Sequence, residues 1–205
     1  AVVKAVYPEG TLSLDATSAP LRAQLGAPGR VVRHEGRSEI VFAVDLARLV
    51  ALAGASDGVV EFLPQVGDFV TADDPLFALY GDAVAVDDGA LREAVAMGPE
   101  RTLEQDPMFA FRILVDVALK ALSPAINDPT TAVLSMDQIH RLLRFVGKRQ
   151  LHSQGVKDDA GELRVVFRTP GWDNFVDVAF SEIRACGGNS VQIARRMRAM
   201  LENLL

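Results

Sequence analysis

The chain has one cysteine, Cys186, among 205 residues, which excludes an intramolecular disulfide framework and a Cys-rich zinc site. It has no long apolar run. The longest, Val41 to Ala55, is interrupted by Asp45 and Arg48, so no segment of this sequence spans a bilayer as a helix. Positive charge is in deficit, with 21 Lys and Arg against 27 Asp and Glu, a balance of −6 that argues against a generic nucleic-acid surface and leaves a local basic patch open. Gly-x-Ser-x-Gly, Walker and Gly-x-Gly-x-x-Gly patterns are missing, so acyl-transfer and nucleotide-binding motifs are not in evidence. The three histidines, His34, His140 and His152, are scattered; Asp137-x-x-His140 has metal-ligand spacing but no second ligand pair, and no metal or cofactor is expected. Cys186 falls at the C-terminal end of an expected helix, where the dipole raises a thiol pKa, so it is a poor nucleophile. Ala1 in place of an initiator Met, with no signal-peptide pattern, reads as a processed or excised piece.

What remains is ordinary globular composition, 49% hydrophobic and 23% charged, at a length that suits one domain or two small ones. Residues 1–29 turn rich in Ala, Gly, Pro, Ser and Thr and read as a connector. From Arg30 β-rich runs begin: Val31-Val32 and Ile40 to Val44 flank His34-Glu35-Gly36-Arg37 and read as a hairpin. Asp45 caps a short helix carrying Leu46, Leu49, Val50 and Ala53, and strands follow at Val59–Leu63, Phe69–Val70 and Leu76–Tyr80. Beyond Val86 the pattern turns helical. Residues 88–97 form a helix stopped by Gly98-Pro99, and Asp106-Pro107 and Asp128-Pro129 each start another. The first of these is apolar nearly all round, from Met108 to Leu119, and reads as buried; the second carries Ala132, Met136, Ile139, Leu143 and Val146 as a packing seam. Leu163–Phe167 reads as a lone strand, and two amphipathic helices, one from about Trp172 to Cys186 and one capped by Asn189 or Ser190, close the chain.

Asp57-Gly58-Val59-Val60, Val66-Gly67-Asp68-Phe69-Val70 and Asp74-Pro75-Leu76 together resemble half of a barrel-sandwich hybrid, the hammerhead of biotinyl and lipoyl carriers. A carrier needs a lysine at a hairpin tip. The lysines are Lys4, Lys120, Lys148 and Lys157, none between residues 30 and 86, so a swinging-arm function is excluded. The expected fold is therefore α+β: a connector over 1–29, a β hammerhead-like module over 30–86, and a helical domain of about five helices over 87–205.

A wider resemblance rests on Gly67-Asp68-Phe69-Val70, on Arg101-Thr102-Leu103-Glu104-Gln105-Asp106-Pro107, and on Leu114-Val115-Asp116-Val117-Ala118. To these are added Ala121-Leu122-Ser123-Pro124-Ala125-Ile126-Asn127-Asp128-Pro129-Thr130-Thr131-Ala132 and the helix with Ala179-Phe180 and Ile183-Arg184. Over roughly residues 30–205 the chain resembles the soluble part of a bacterial family of predicted membrane proteins, domain of unknown function 2254. The resemblance implies transmembrane helices upstream, a soluble domain hung from them, and no assigned activity; the domain is expected on the cytoplasmic side, although the chain itself does not give sidedness.

Three polar groupings merit a functional reading. Arg112 and Asp116, one turn apart, most simply form an intrahelical pair; with Arg101 and Gln105 they would suit a carboxylate or phosphate ligand. Ser123, Asn127, Asp128, Thr130 and Thr131 surround a helix start that could hold an anion, although a capping Asp128 occupies the same donors. Asp106 and Asp128 begin successive helices, roughly 24 Å apart along about 16 residues, so they are caps rather than a carboxylate pair. The favoured expectation is a non-catalytic domain that assembles or regulates the membrane part and forms a homo-oligomer. The alternative is a sensor for a small anionic ligand, using Arg101, Arg112 and Asp116 or the Ser123–Thr131 loop. A hydrolase, lacking a nucleophile–base pair, ranks last.

Overall fold

A computed structural model describes residues 24–149, 151 and 155–204. Residues 1–23 of the expected connector, and His152, lie outside the described residues. The chain divides into two compact units. One holds the described residues of Ser13–Asp106 and His152–Thr169, the other those of Pro107–Leu151 and Pro170–Leu205. The fold class is α+β.

Among its described residues the first unit has eight strands in two sheets. β1 (Arg30–Arg33), β5 (Pro75–Gly81), β3 (Gly58–Phe62), β8 (Leu163–Phe167) and β7 (Gly155–Lys157) lie side by side in that order. β4 (Phe69–Val70), β2 (Glu39–Val44) and β6 (Val95–Gly98) form the smaller sheet. β5 is a continuous apolar run, Leu76 to Tyr80, because a strand between two neighbours with both faces covered carries no polar face. Helix α1 (Leu46–Ala55) starts at Asp45, whose side chain accepts from the Arg48 N–H at 2.9 Å, and buries Leu49 and Ala53 completely. The turns before and after β4 share one device: Asp68 accepts from the Gln65 N–H and Asp74 from the Thr71 N–H, both at 2.8 Å.

Three local expectations yield to long-range pairing. His34 to Arg37 is not a hairpin, since β1 pairs with β5 and β2 with β4 and β6. The helix expected over 88–97 is α2 (Asp88–Arg92) only. Val95–Gly98 pairs antiparallel with β2, Val44 opposite Val95, so sheet formation overrides the helix propensity of Ala and Met. Leu163–Phe167 is not alone: it lies parallel to β3, Val60 opposite Val165. The strands of residues 57–82 are thus parts of a larger mixed sheet and of a second sheet, a pairing that does not support the resemblance to half of a barrel-sandwich hybrid.

Among its described residues the second unit has four helices: α3 (Pro107–Leu122), α4 (Pro129–Val146), α5 (Trp172–Gly187) and α6 (Val191–Leu204). α3 packs on α4 and α5, and α4 on α6. The α4 seam is fully buried: Ala132, Met136, Ile139, Leu143 and Val146. Phe111 and Phe175 fill the space between α3 and α5 with ring centroids 5.1 Å apart. The Ser135 hydroxyl donates to the Leu114 carbonyl at 2.6 Å, tying α4 to α3. α3 is not buried all round, however. Phe111, Val115 and Ala118 face inward, while Ile113 and Val117 stand 39% and 44% exposed.

Candidate functional site

With Phe111 and Val115 anchoring α3 inward, Arg112 is turned toward α5. Its Nη1 and Nη2 donate to the two carboxylate oxygens of Glu182, the second at 3.2 Å, and Nη2 lies 2.8 Å from Asp116 Oδ1. The bidentate geometry raises the Arg112 pKa, chiefly through the Glu182 hydrogen bond, and the same bond lowers that of Glu182. The expected Arg112–Asp116 pair exists; Glu182, seventy positions from Arg112, is the stronger partner and had no local signal. All three side chains are partly solvated, and one cation is shared by two carboxylates.

The Ser123–Thr131 loop satisfies itself. Ser123 Oγ donates to the Lys120 carbonyl at 2.7 Å, and the Asn127 and Asp128 N–H groups donate to Ser123 and Ala121 carbonyls at 2.8 Å. Asn127 takes a left-handed conformation, φ 47°, which an Asn tolerates. Asp128 caps α4: its carboxylate accepts from the Thr131 N–H at 3.1 Å and from the Thr131 hydroxyl at 2.5 Å, with Pro129 following. These Thr131 hydrogen bonds hold the Asp128 carboxyl below its usual pKa, the hydroxyl contributing most.

Arg101 and Gln105 belong to the β unit, whereas Arg112 and Asp116 belong to the helical one. Arg101 Nε and Nη2 donate to Asp106 Oδ2 at 2.9 and 2.5 Å. The Asp106 side chain is 2% exposed, that of Arg101 31%. Gln105 Oε1 accepts from the Val44 N–H at 3.1 Å, fastening the segment to β2. Gly67, at φ +95°, completes the cluster: a Cβ there would sit 2.5 Å from Asp106 Oδ2 and 2.6 Å from Arg101 Nη2. The Gly67 N–H donates to the Val41 carbonyl at 2.7 Å, so the turn too is fastened to β2. Two segments remote in sequence, Gly67-Asp68 and Arg101 to Asp106, thus meet around one buried carboxylate.

The family model described as a predicted membrane protein, domain of unknown function 2254, matches residues 4–203. The chain belongs to this family. Among curated proteins it is 30% identical over 207 residues to uncharacterised proteins of Mycobacterium bovis and Mycobacterium tuberculosis, covering 98% of this chain. It spans 39% of the length of these relatives. No solved structure matches. Among the described residues no helix is long and apolar enough to cross a membrane, so in this member of family 2254 the described part contributes no spanning helix.

Residues that the sequence did not single out as a group lie between α4 and α6 in this member of family 2254. Arg196 Nη2 and His140 Nδ1 are 2.9 Å apart. Arg196 Nε is 2.6 Å from Asp137 Oδ1, but its N–H does not point at that oxygen, so the contact is ionic. Burial first, and then the Arg196 cation, push the His140 pKa below its usual value. Asp137 therefore serves Arg196. Among the described residues no three His, Cys, Asp or Glu side chains gather to hold a metal.

Proposed function

We propose that this chain is a non-catalytic contact domain of a bacterial membrane protein, serving assembly or regulation of the membrane-embedded part. The observation that carries the reading is the outer stripe of α3. Ile113 and Val117, one turn apart, stand 39% and 44% exposed beside the Arg112–Asp116–Glu182 ion pairs. Leu134 on α4 and Ile126 in the α3–α4 loop, 59% and 50% exposed, extend the apolar character of this unit's surface. Neighbouring aliphatic side chains left in water favour a partner, at about 25 cal/mol for each Å² covered. The cations that a small-anion sensor would use are instead engaged: Arg112 by Glu182 and Asp116, Arg101 by Asp106.

The test is Ile113→Glu with Val117→Glu in the intact membrane protein, sized on native gels after mild solubilisation. The expected result is a smaller or loosened assembly, while the 205-residue chain with the same changes keeps its helical circular dichroism. An unchanged assembly overturns the reading. A saturable thermal shift with phosphate or a carboxylate, lost in Arg112→Ala, would put the sensor in its place.

A further inference from the structure

α5 and α6 pack on one another less extensively than α6 packs on α4. α6 packs on α4, and between α5 and α6 runs a cleft of two adjoining lobes, about 400 and 380 Å³. Arg184, Met197 and Leu201 line both lobes, so the two form one groove. Its turn end is set by Gly187: a Cβ there would lie 2.7 Å from Ile193 Cγ2, so the glycine lets α6 fold back closely at this end. Away from the turn Val176, Phe180, Met197 and Leu201 make an apolar floor, and Leu201 is 45% exposed. Phe180 is rooted in the helical core and Val176 and Met197 pack against it, so the floor is a core edge that is open chiefly at Leu201.

The charges along the groove are sorted. Asp173 and Asp177 line only the lobe away from the turn; Arg198 lines only the turn lobe, and Arg184 reaches both. Glu202, in the turn lobe, is engaged by Arg198 at 2.7 Å. Asp177 and Arg184 are two turns apart on one face of α5, about 10 Å along the axis, with Phe180 midway. A patch apolar in the middle, acidic at one end and basic at the other, is complementary to itself when turned by a two-fold rotation. That is the requirement for an isologous contact. A chain of net charge −6 repels its copies elsewhere, and this segregation supplies attraction where the apolar floors meet.

We propose that the α5–α6 groove is a self-association surface whose occupant is a second copy of this chain. The two copies pack antiparallel across an axis beside Phe180, and Arg184 faces the partner's Asp177. This rests on the contact-domain reading and names its partner for one surface, distinct from the α3 stripe.

The experiment is sedimentation velocity on the 205-residue chain over a wide concentration range, with a set of exposed-site variants. The wild type should shift from monomer to dimer with concentration. Arg184→Asp and Asp177→Arg each place like charges together at two symmetry-related points and should raise the dissociation constant about tenfold or more. The double variant, Asp177→Arg with Arg184→Asp, swaps the pair in both copies and should restore dimerisation, which a merely structural effect would not do. Leu201→Glu should leave a monomer with unchanged circular dichroism. A single monomeric species throughout, or a dimer indifferent to both charge reversals, overturns the proposal. A monomer in solution together with α3 variants that still disrupt the intact protein would overturn the groove alone and leave the contact reading standing.

Discussion

Gly67→Ala is the most exacting test of the clasp around Asp106. The added methyl would stand 2.5 Å from the carboxylate and 2.6 Å from the guanidinium, well inside contact distance, on a backbone held at φ +95°. The backbone alone costs about 1–2 kcal/mol for a residue bearing a Cβ. Asp106 is buried while the Arg101 side chain is 31% exposed, so Arg101 is the group that yields and swings outward. Removing one partner from a buried pair costs about 3–5 kcal/mol in full. Because the swing is partial, the expected total is about 3 kcal/mol, a fall in Tm of roughly 6–12 °C for a chain of this size. The assay is urea and thermal denaturation followed by circular dichroism, run also in an Arg101→Ala background. There the clash with the guanidinium is gone and Gly67→Ala should cost its backbone share and the remaining contact with the Asp106 carboxylate, so the cycle should show a coupling of about 1 kcal/mol. A Gly67→Ala protein within about 0.5 kcal/mol of wild type, or strictly additive variants, would refute the reasoning.

Three further outcomes follow from the packing and the charges. Phe175→Ala, emptying the space beside Phe111, should cost about 3–5 kcal/mol by urea denaturation. His140 is held below its unfolded pKa of 6.5, so as pH falls the unfolded chain takes up a proton first. Its contribution is full above 6.5 and is lost as pH drops toward the folded value; His140→Gln should flatten that part of a stability profile measured between about pH 8 and pH 5. Arg112→Ala should change stability by only about 0.2–1 kcal/mol, because the pairs it breaks are solvated. A larger loss would mean that this network bears on folding.

The helical unit was legible because its signals are local. Asp128-Pro129 announces the start of α4, and Ala132, Met136, Ile139, Leu143 and Val146 recur at the period that turns them to one side. α3 misled because its apolar residues surround it: the pattern could not say that Ile113 and Val117 remain outside. The sheets were less legible because their pairing is remote. Nothing near Val165 reveals that its neighbour is Val60, and the helix-favouring Ala96 and Met97 give no hint of β2. The same holds for the polar groups. Arg112 and Asp116 could be paired from their spacing, whereas Glu182 and the meeting of Gly67 with Arg101 and Asp106 depend on the completed fold. The α5–α6 groove, being a gap between helices, has no signature in either helix alone.

The central claim is that the apolar side chains exposed on the helical unit are contacts in the membrane-bound protein. The most direct measurement puts a photo-reactive amino acid at Val117 of the intact protein in its own membrane, with the same group at exposed Asp159 as control. Cross-linked peptides are then identified by mass spectrometry. The account predicts strong cross-links from position 117 to peptides of the same protein, diminished by Ile113→Glu, and little from position 159. Equal and low yields at both positions would contradict it.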